Sequence, residues 1–210
     1  MAHILITAGP TRAYIDDVRY LTNASSGRMA AAIARAAVAD SHHVTIVSGP
    51  VSVRYPAAAH VVRVITTGDM LAAATKLLPK VDAVIATAAP CDFEPTTRAK
   101  GKVPRQRGLS LQLKPTRDVI ATLARQATPQ QWMIAFALEP DGRCERAFEK
   151  ITAKRCDLIV LNDLTALDST ATAVQVFDRQ HRLVGSKAGQ KSTVARWLLR
   201  LISQHMATDA

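Results

Sequence analysis

Apolar runs of strand length alternate along this chain with helix-length amphipathic or alanine-rich runs, and most strands close in turns of Gly, Pro or hydroxyl residues. A fully apolar stretch at Ala83–Ala88 is of the kind buried on both faces of a parallel sheet. Two short alternating runs come late in the chain. Together these features predict an α/β protein: a Rossmann-like, mostly parallel sheet with helices on both faces and an antiparallel extension. The 210 residues suit one domain spanning the whole chain, on a prior of roughly 100–200 residues per domain.

The elements follow in order. Ile4–Thr7 is a short strand ending in Ala8-Gly9-Pro10-Thr11. Ser26–Ala39 carries Met29, Ile33 and Ala37 at helical spacing among alanines. Val44–Val47 is a second strand, closed by Ser48-Gly49-Pro50, and Val61–Ile65 a third. Asp69–Leu78 reads as a helix with its acid early, where it suits the dipole. After the strand Ala83–Ala88 the character changes. Residues 94–108 have no apolar periodicity, two Pro and two Gly, and carry Arg98, Lys100, Lys102, Arg105 and Arg107 without an intervening acid. They read as a mobile basic loop. Leu109, Leu111 and Leu113 alternate with polar residues as a half-buried strand, and Thr116 is placed to cap a helix over Arg117–Arg125. Met133–Leu138 is a buried strand, Glu145–Lys154 a basic amphipathic helix and Asp157–Leu161 the next strand. Ala173–Phe177 and Arg182–Val184 form a hairpin across Asp178–His181. Ser192 caps a last helix whose core face is Val194, Trp197, Leu198 and Leu201, with a frayed tail over 204–210.

Composition narrows the function classes. No apolar run approaches the roughly 20 residues of a membrane span, and the chain passes directly from Met1 into a strand, so no signal peptide is expected. Three cysteines, Cys91, Cys144 and Cys156, are an odd number without a C-x-x-C pair. Free thiols in a reducing cytoplasm are the expectation. No two Cys or His stand at zinc-ligand spacing apart from the adjacent His42–His43. The 27 Lys and Arg against 17 Asp and Glu leave a net charge of +10, which suggests anionic partners such as nucleotides, phosphorylated metabolites or nucleic acid. Aromatic residues are only 4%, too few for stacking platforms on single strands.

Ligands of such sheets bind beyond the C-terminal strand ends, here residues 8–11, 48–50, 86–93, 136–139 and 161–163. Four clusters fall in or near that zone. Ser25-Ser26-Gly27 opens a helix whose free amides suit an oxyanion or phosphate, or merely caps a structural helix. Asp92 follows a run of small residues that would let a flat ring approach the backbone, or is an acid in a turn. Lys102, on the Gly- and Pro-punctuated loop, could swing over a site to neutralise phosphate charge, or belongs to a solvated charge run. Lys150 and Lys154 lie one helical turn apart, where a bound anion would relieve their repulsion, or form an exposed basic face. Cys91 reads as a packed thiol, having no base nearby in sequence.

Five blocks carry a family resemblance: ILITAGPT at 4–11, VRYLTNASSGRM at 18–29, VTIVSGP at 44–50, LSLQLKPTRD at 109–118 and DLIVLND at 157–163. In order and spacing they resemble phosphopantothenoylcysteine synthetases over about residues 3–203. The resemblance implies a ligase of coenzyme A synthesis that joins 4′-phosphopantothenate to L-cysteine through an acyl-cytidylate, releasing pyrophosphate and then CMP. CTP would be the co-substrate, with ATP possible, and Mg²⁺ would be held mainly by the triphosphate. No flavin is implied, since the chain begins at the synthetase. Asn23, Arg19 and Lys102 match the catalytic positions. Gly9, Ser25, Ser26, Ala86, Thr87, Ala88, Asp92, Lys102, Arg117, Asp118, Val119, Ile120, Phe136, Lys150 and Lys154 are the implied nucleotide-binding residues. The family pattern also implies a homodimer to which the antiparallel extension contributes. Here Pro90-Cys91 and Val103-Pro104-Arg105 depart from that pattern, so a related ligase with another acid or amine is the alternative. A nucleic-acid module built on segment 98–107 is a more distant one, disfavoured by the scarcity of aromatics and recognition motifs.

Overall fold

Eight strands form one sheet in the order β12-β11-β10-β9-β6-β1-β4-β5. A computed structural model describes residues 1–105, 108–139, 144–162 and 169–208, excluding the side chains of residues 144, 146 and 208. Six strands run parallel: β1 (His3–Ala8), β4 (His43–Ser48), β5 (His60–Arg63), β6 (Ala83–Ala86), β9 (Trp132–Leu138) and β10 (Leu158–Asn162). The antiparallel hairpin β11 (Ala171–Asp178) and β12 (Leu183–Gln190) extends one edge. The expected Rossmann-like sheet with its antiparallel extension is therefore present.

Alternation along β1 sorts the core into two layers. Ile4 and Ile6 face α1 (Arg28–Ala39) and α5 (Lys191–Thr208), whereas Leu5 faces α2 (Thr67–Leu77), α3 (Val119–Gln126) and α4 (Cys144–Lys154). The buried alanines of α1 let that helix lie close to α5 and β1. β1 sits between β4 and β6, both of which follow it in the chain, so strand order reverses between β1 and β6. At that reversal the connections leave to opposite sides and a crevice opens at the C-terminal strand ends. Two small sheets hang above it: β2 (Arg12–Tyr14) with β3 (Tyr20–Thr22), and β7 (Phe93–Pro95) with β8 (Leu113–Pro115).

Several local expectations are corrected. Helix α1 starts at Arg28 and has no side-chain cap; Gly27 takes its N-cap at φ 72°, a backbone that glycine alone adopts cheaply. Neither Ser25 nor Ser26 is the cap. Helix α2 begins at Thr67, with Thr66 and Asp69 in a reciprocal capping box, and Leu78–Lys80 form a 3-10 turn beyond it. Helix α3 is capped by Asp118, not Thr116, because Asp118 Oδ1 accepts from the Ala121 amide while the Thr116 hydroxyl donates to Cys91 O. Leu109 and Leu113 are exposed; the leucine alternation yields only the short β8 outside the main sheet. The late hairpin is longer than its apolar alternation indicates, as the second strand at 183–190 is mostly exposed and carries two glycines. Helix α5 starts before Ser192, at Lys191, and continues to Thr208, where fraying was expected from 204. Among the described residues no helix is long and apolar enough to cross a membrane. Cys156 is a core thiol whose burial pushes its pKa up to about 12.

Gly49 closes β4 beneath the Pro10 turn, and a Cβ there would lie 1.7 Å from the Pro10 carbonyl oxygen. Gly49→Ala is expected to lower unfolding stability by about 3 kcal/mol. Gly68→Ala, in helix α2 where a Cβ meets only an ordinary contact at 3.7 Å, should instead raise it by about 0.5 kcal/mol. Urea denaturation of both variants checks the pair.

Candidate functional site

The crevice is fixed by a dense set of hydrogen bonds between the ends of β1 and β6. The Thr87 amide and hydroxyl both donate to Thr7 O, at 3.2 and 2.7 Å. The Ala89 amide donates to Gly9 O at 3.0 Å. Gly9 itself holds φ 72° and packs on Val51. Below them Thr11, Thr67, Cys91 and Thr116 form a buried node. The Cys91 amide donates to Thr11 Oγ1 at 2.8 Å, which lies 2.8 Å from Thr67 Oγ1. Cys91 O accepts from Thr67 and Thr116, at 3.3 and 2.6 Å. Cys91 Sγ donates to Thr11 O at 3.3 Å, so the thiol is packed, as its sequence context indicates.

Against this frame lies Asn23. Its Nδ2 donates to Ala89 O at 3.3 Å and Pro90 O at 2.8 Å, which draws the segment after β3 over the end of β6. Two adjoining cavities result. A narrow one of about 120 Å³ is lined by Ala86, Ala88, Asp92, Arg117, Asp118, Val119, Ile120, Phe136 and Lys154, among others. A wider one of about 480 Å³ holds Asn23, Ser25, Ser26, Thr87, Asn162 and Lys191. They share Ala88, Pro90, Asp92, Phe136 and Lys154, and so make one continuous cleft.

Thirteen of the sequence-derived site residues therefore reach this cleft, and four do not. Gly9 supports it from beneath. Lys150 forms an ion pair with Glu139, whose carboxylate is buried at the end of β9. Lys154 Nζ lies 2.9 Å from Asp118 Oδ2, the same carboxylate that caps α3. The two lysines on α4 thus each face an acid, and their mutual repulsion is already offset without a bound anion. Arg19 and Lys102 line neither cavity.

Arg19 and Lys102 belong instead to a contact between the β2–β3 turn and the basic loop. Asp16, fully buried, accepts from the Val18 and Arg19 amides, from Arg19 Nε and Nη2, and from the Val103 amide at 3.1 Å. The Arg19 bonds hold its carboxyl well below the usual carboxylate range. Arg19 Nη2 also donates to Val103 O at 2.7 Å. Asp17 accepts from the Gly101 amide and from Arg98, each at 2.8 Å, and these bonds lower its pKa. Residues 98–103 are therefore tied down, contrary to the expectation of a loop mobile throughout, because the acids that neutralise it come from 80 residues earlier in the chain. Residues 106 and 107 lie outside the described residues.

Sequence reasoning missed Thr11, Thr67, Thr116, Glu139, Asp16 and Lys191. Thr11 stood in a flagged turn, yet only the fold brings Thr67 and Cys91 to it. Among the described residues no three His, Cys, Asp or Glu side chains come together for a metal.

A parallel sheet whose cleft opens at the reversal of strand order, with small residues and cations along its rim, is the arrangement of nucleotide-binding α/β domains. The chain belongs to the DNA/pantothenate metabolism flavoprotein C-terminal domain family, whose pattern matches residues 1–206. It is 41% identical over 166 residues to the coenzyme A biosynthesis bifunctional protein CoaBC of Bacillus subtilis, covering 78% of this chain and 41% of that one. It is 34% identical over 206 residues to a cysteine/cysteine sulfinic acid decarboxylase of an unknown prokaryotic organism, covering 95% and 57%. The chain thus spans about half the length of these curated relatives. Among solved structures, the C-terminal domain of CoaBC superimposes with a TM-score of 0.84 at 35% identity, over 99% of this chain and 96% of that one. A Cab2 structure in complex with phosphopantothenate-cysteine shares the fold at a TM-score of 0.78 and 14% identity, over 97% of this chain and 86% of that one.

Thr11→Val keeps the shape of the node but leaves the buried Cys91 amide without its acceptor. It should cost about 2 kcal/mol in denaturant unfolding, whereas Thr122→Val, at an exposed hydroxyl of α3, should change stability by less than about 1 kcal/mol.

Proposed function

We propose that this chain is a phosphopantothenate–cysteine ligase of coenzyme A synthesis. The observation that carries the reading is the single cleft with Asn23 on one wall and Arg117 and Lys154 on the other, in a chain 35% identical along nearly its whole length to the C-terminal domain of CoaBC. The carboxylate of 4′-phosphopantothenate attacks the α-phosphorus of CTP and pyrophosphate leaves, giving an acyl-cytidylate. The amine of L-cysteine then attacks the acyl carbon, loses a proton and displaces CMP.

The residues suit those steps. Ala86 and Ala88 leave room for a flat base beside Phe136. Arg117 and Lys154 offset phosphate charge, and the Ser25-Ser26-Gly27 turn presents hydroxyls and amides at the wider end. Asn23 can turn an amide hydrogen from Ala89 O to an oxyanion of the acyl intermediate. Asp92 lies on the lining of both cavities. With no three acidic or imidazole groups gathered among the described residues, a Mg²⁺ arriving with the triphosphate would keep phosphate and water oxygens as most of its ligands. The ion supplies neutralisation of the pyrophosphate leaving group.

We also infer a cytoplasmic homodimer. Exposed Val18, Tyr20, Phe93, Leu109 and Leu113 all lie on or beside the two small sheets, and β2 packs against β7. These exposed apolar groups favour the small sheets over the late hairpin, where, among the described residues, only Leu183 is a large exposed apolar side chain.

Incubation with CTP or ATP, Mg²⁺, 4′-phosphopantothenate and L-cysteine should release pyrophosphate; no release with either nucleotide rejects the reading. Release with a different acid or amine alone would indicate the related ligase. Asn23→Asp should retain nucleotide affinity while turnover falls at least about 100-fold. Lys154→Ala should weaken nucleotide binding by roughly tenfold, seen by calorimetric titration.

A further inference from the structure

The loop lysine is held from both sides by consecutive acids. Lys102 stands between Gly101 and Val103; the Gly101 amide donates to Asp17 Oδ2 at 2.8 Å and the Val103 amide to Asp16 Oδ2 at 3.1 Å. The remaining contacts tighten the same joint. Asp17 N donates to Gly101 O at 3.1 Å and Ala99 N to Ile15 O at 3.0 Å. Arg19 Nη2 donates to Val103 O, and the Arg98 guanidinium lies 4.8 Å from the centre of the Tyr14 ring. Gly101 supplies the turn at φ 68°, a left-handed backbone with nothing within 4 Å of a Cβ. Lys102 itself is exposed.

We propose that Asp16 and Asp17 form a latch that fixes the backbone on either side of Lys102, making both acids positioning residues for that lysine. The inference rests on the ligase reading, in which the side chain of Lys102 reaches in to neutralise phosphate charge, but the latch is a property of the chain alone. Two backbone amides bonded to carboxylates, with the flanking carbonyls bonded in return, leave Lys102 to move through its side chain and not through its main chain. The latch also assigns Arg19 a place outside the cleft, where its guanidinium joins the buried Asp16 to the carbonyl of Val103. Lys102 lines neither cavity, so only its exposed side chain is left to extend toward the cleft, and an anchored backbone narrows the positions that side chain must search. The segment from Pro104 onward has no such bonds to the β2–β3 turn among the described residues.

The test uses Asp17, whose side chain is 53% exposed, so that its replacement leaves the fold intact. In Asp17→Ala, hydrogen exchange at the Gly101 amide, read by NMR, should accelerate at least about tenfold. In the ligase assay the same variant should lose about tenfold in kcat with the KM for CTP within about twofold. Asp17→Asn, which keeps an oxygen for the Gly101 amide, should recover most of that loss. In a Lys102→Ala background Asp17→Ala should cost nothing further, because the two act through one group. Unchanged exchange at Gly101 overturns the latch. Independent, multiplying losses in the double variant overturn its action through Lys102. If the unaltered chain releases no pyrophosphate, the ligase reading fails, and the exchange measurement alone decides the latch.

Discussion

The two hydrogen bonds from Thr87 to Thr7 O, with that from Ala89 to Gly9 O, carry the pairing of β1 with β6 beyond the strand ends, at the place where strand order reverses. The pairing runs on through a parallel bridge between Pro10 and Ala89 and the bond from the Cys91 amide to Thr11 Oγ1. Everything placed at the cleft hangs on that continued contact. Asn23 is anchored to the carbonyls of Ala89 and Pro90. The Thr11 node fixes Cys91 and hence Asp92. Thr116 ties the entry of α3 to the same segment. The wall residues named above come from seven separate stretches of chain, at 23–26, 86–92, 117–120, 136, 154, 162 and 191.

Charge is the second organising constraint. A chain with a net charge of +10 could present its cations as free surface. In and around this cleft several of them are paired instead. Lys150 meets Glu139, Lys154 meets Asp118, and the basic loop meets Asp16 and Asp17. Asp118 also caps a helix, and Asp16 and Asp17 also accept from backbone amides, so at these three acids position and neutralisation come from the same group. That economy explains why the lysines on α4 lie one turn apart without cost, a spacing that in isolation is repulsive.

Much of the fold was legible in the sequence because burial on both sheet faces leaves continuous apolar runs, as at Ile4–Thr7, Ala83–Ala86 and Met133–Leu138. The ends were less so. Thr116 looked like a cap, but Asp118 could satisfy the α3 amides while Thr116 found Cys91 O; only tertiary placement decides between them. The leucines at 109, 111 and 113 alternate as a half-buried strand does, yet Leu113 pairs only with Pro95 of the short β7, and just Leu111 is half-buried. Most of the residues implied for nucleotide binding line the two adjoining cavities of one cleft. The pairs Glu139–Lys150 and Asp16–Val103 were invisible, since partners 11 and 87 residues apart leave no local spacing to read.

The cap of α3 has a consequence for ligand exchange. Asp118 holds Lys154 with one oxygen and the Ala121 amide with the other. An anion entering that end of the cleft meets a cation already occupied, with the carboxylate as a resident competitor for it. In the ligase proposed above, that competition would cancel part of the attraction of Lys154 for phosphate and let the carboxylate reclaim the lysine as a spent nucleotide departs, so that grip is loosened and turnover eased.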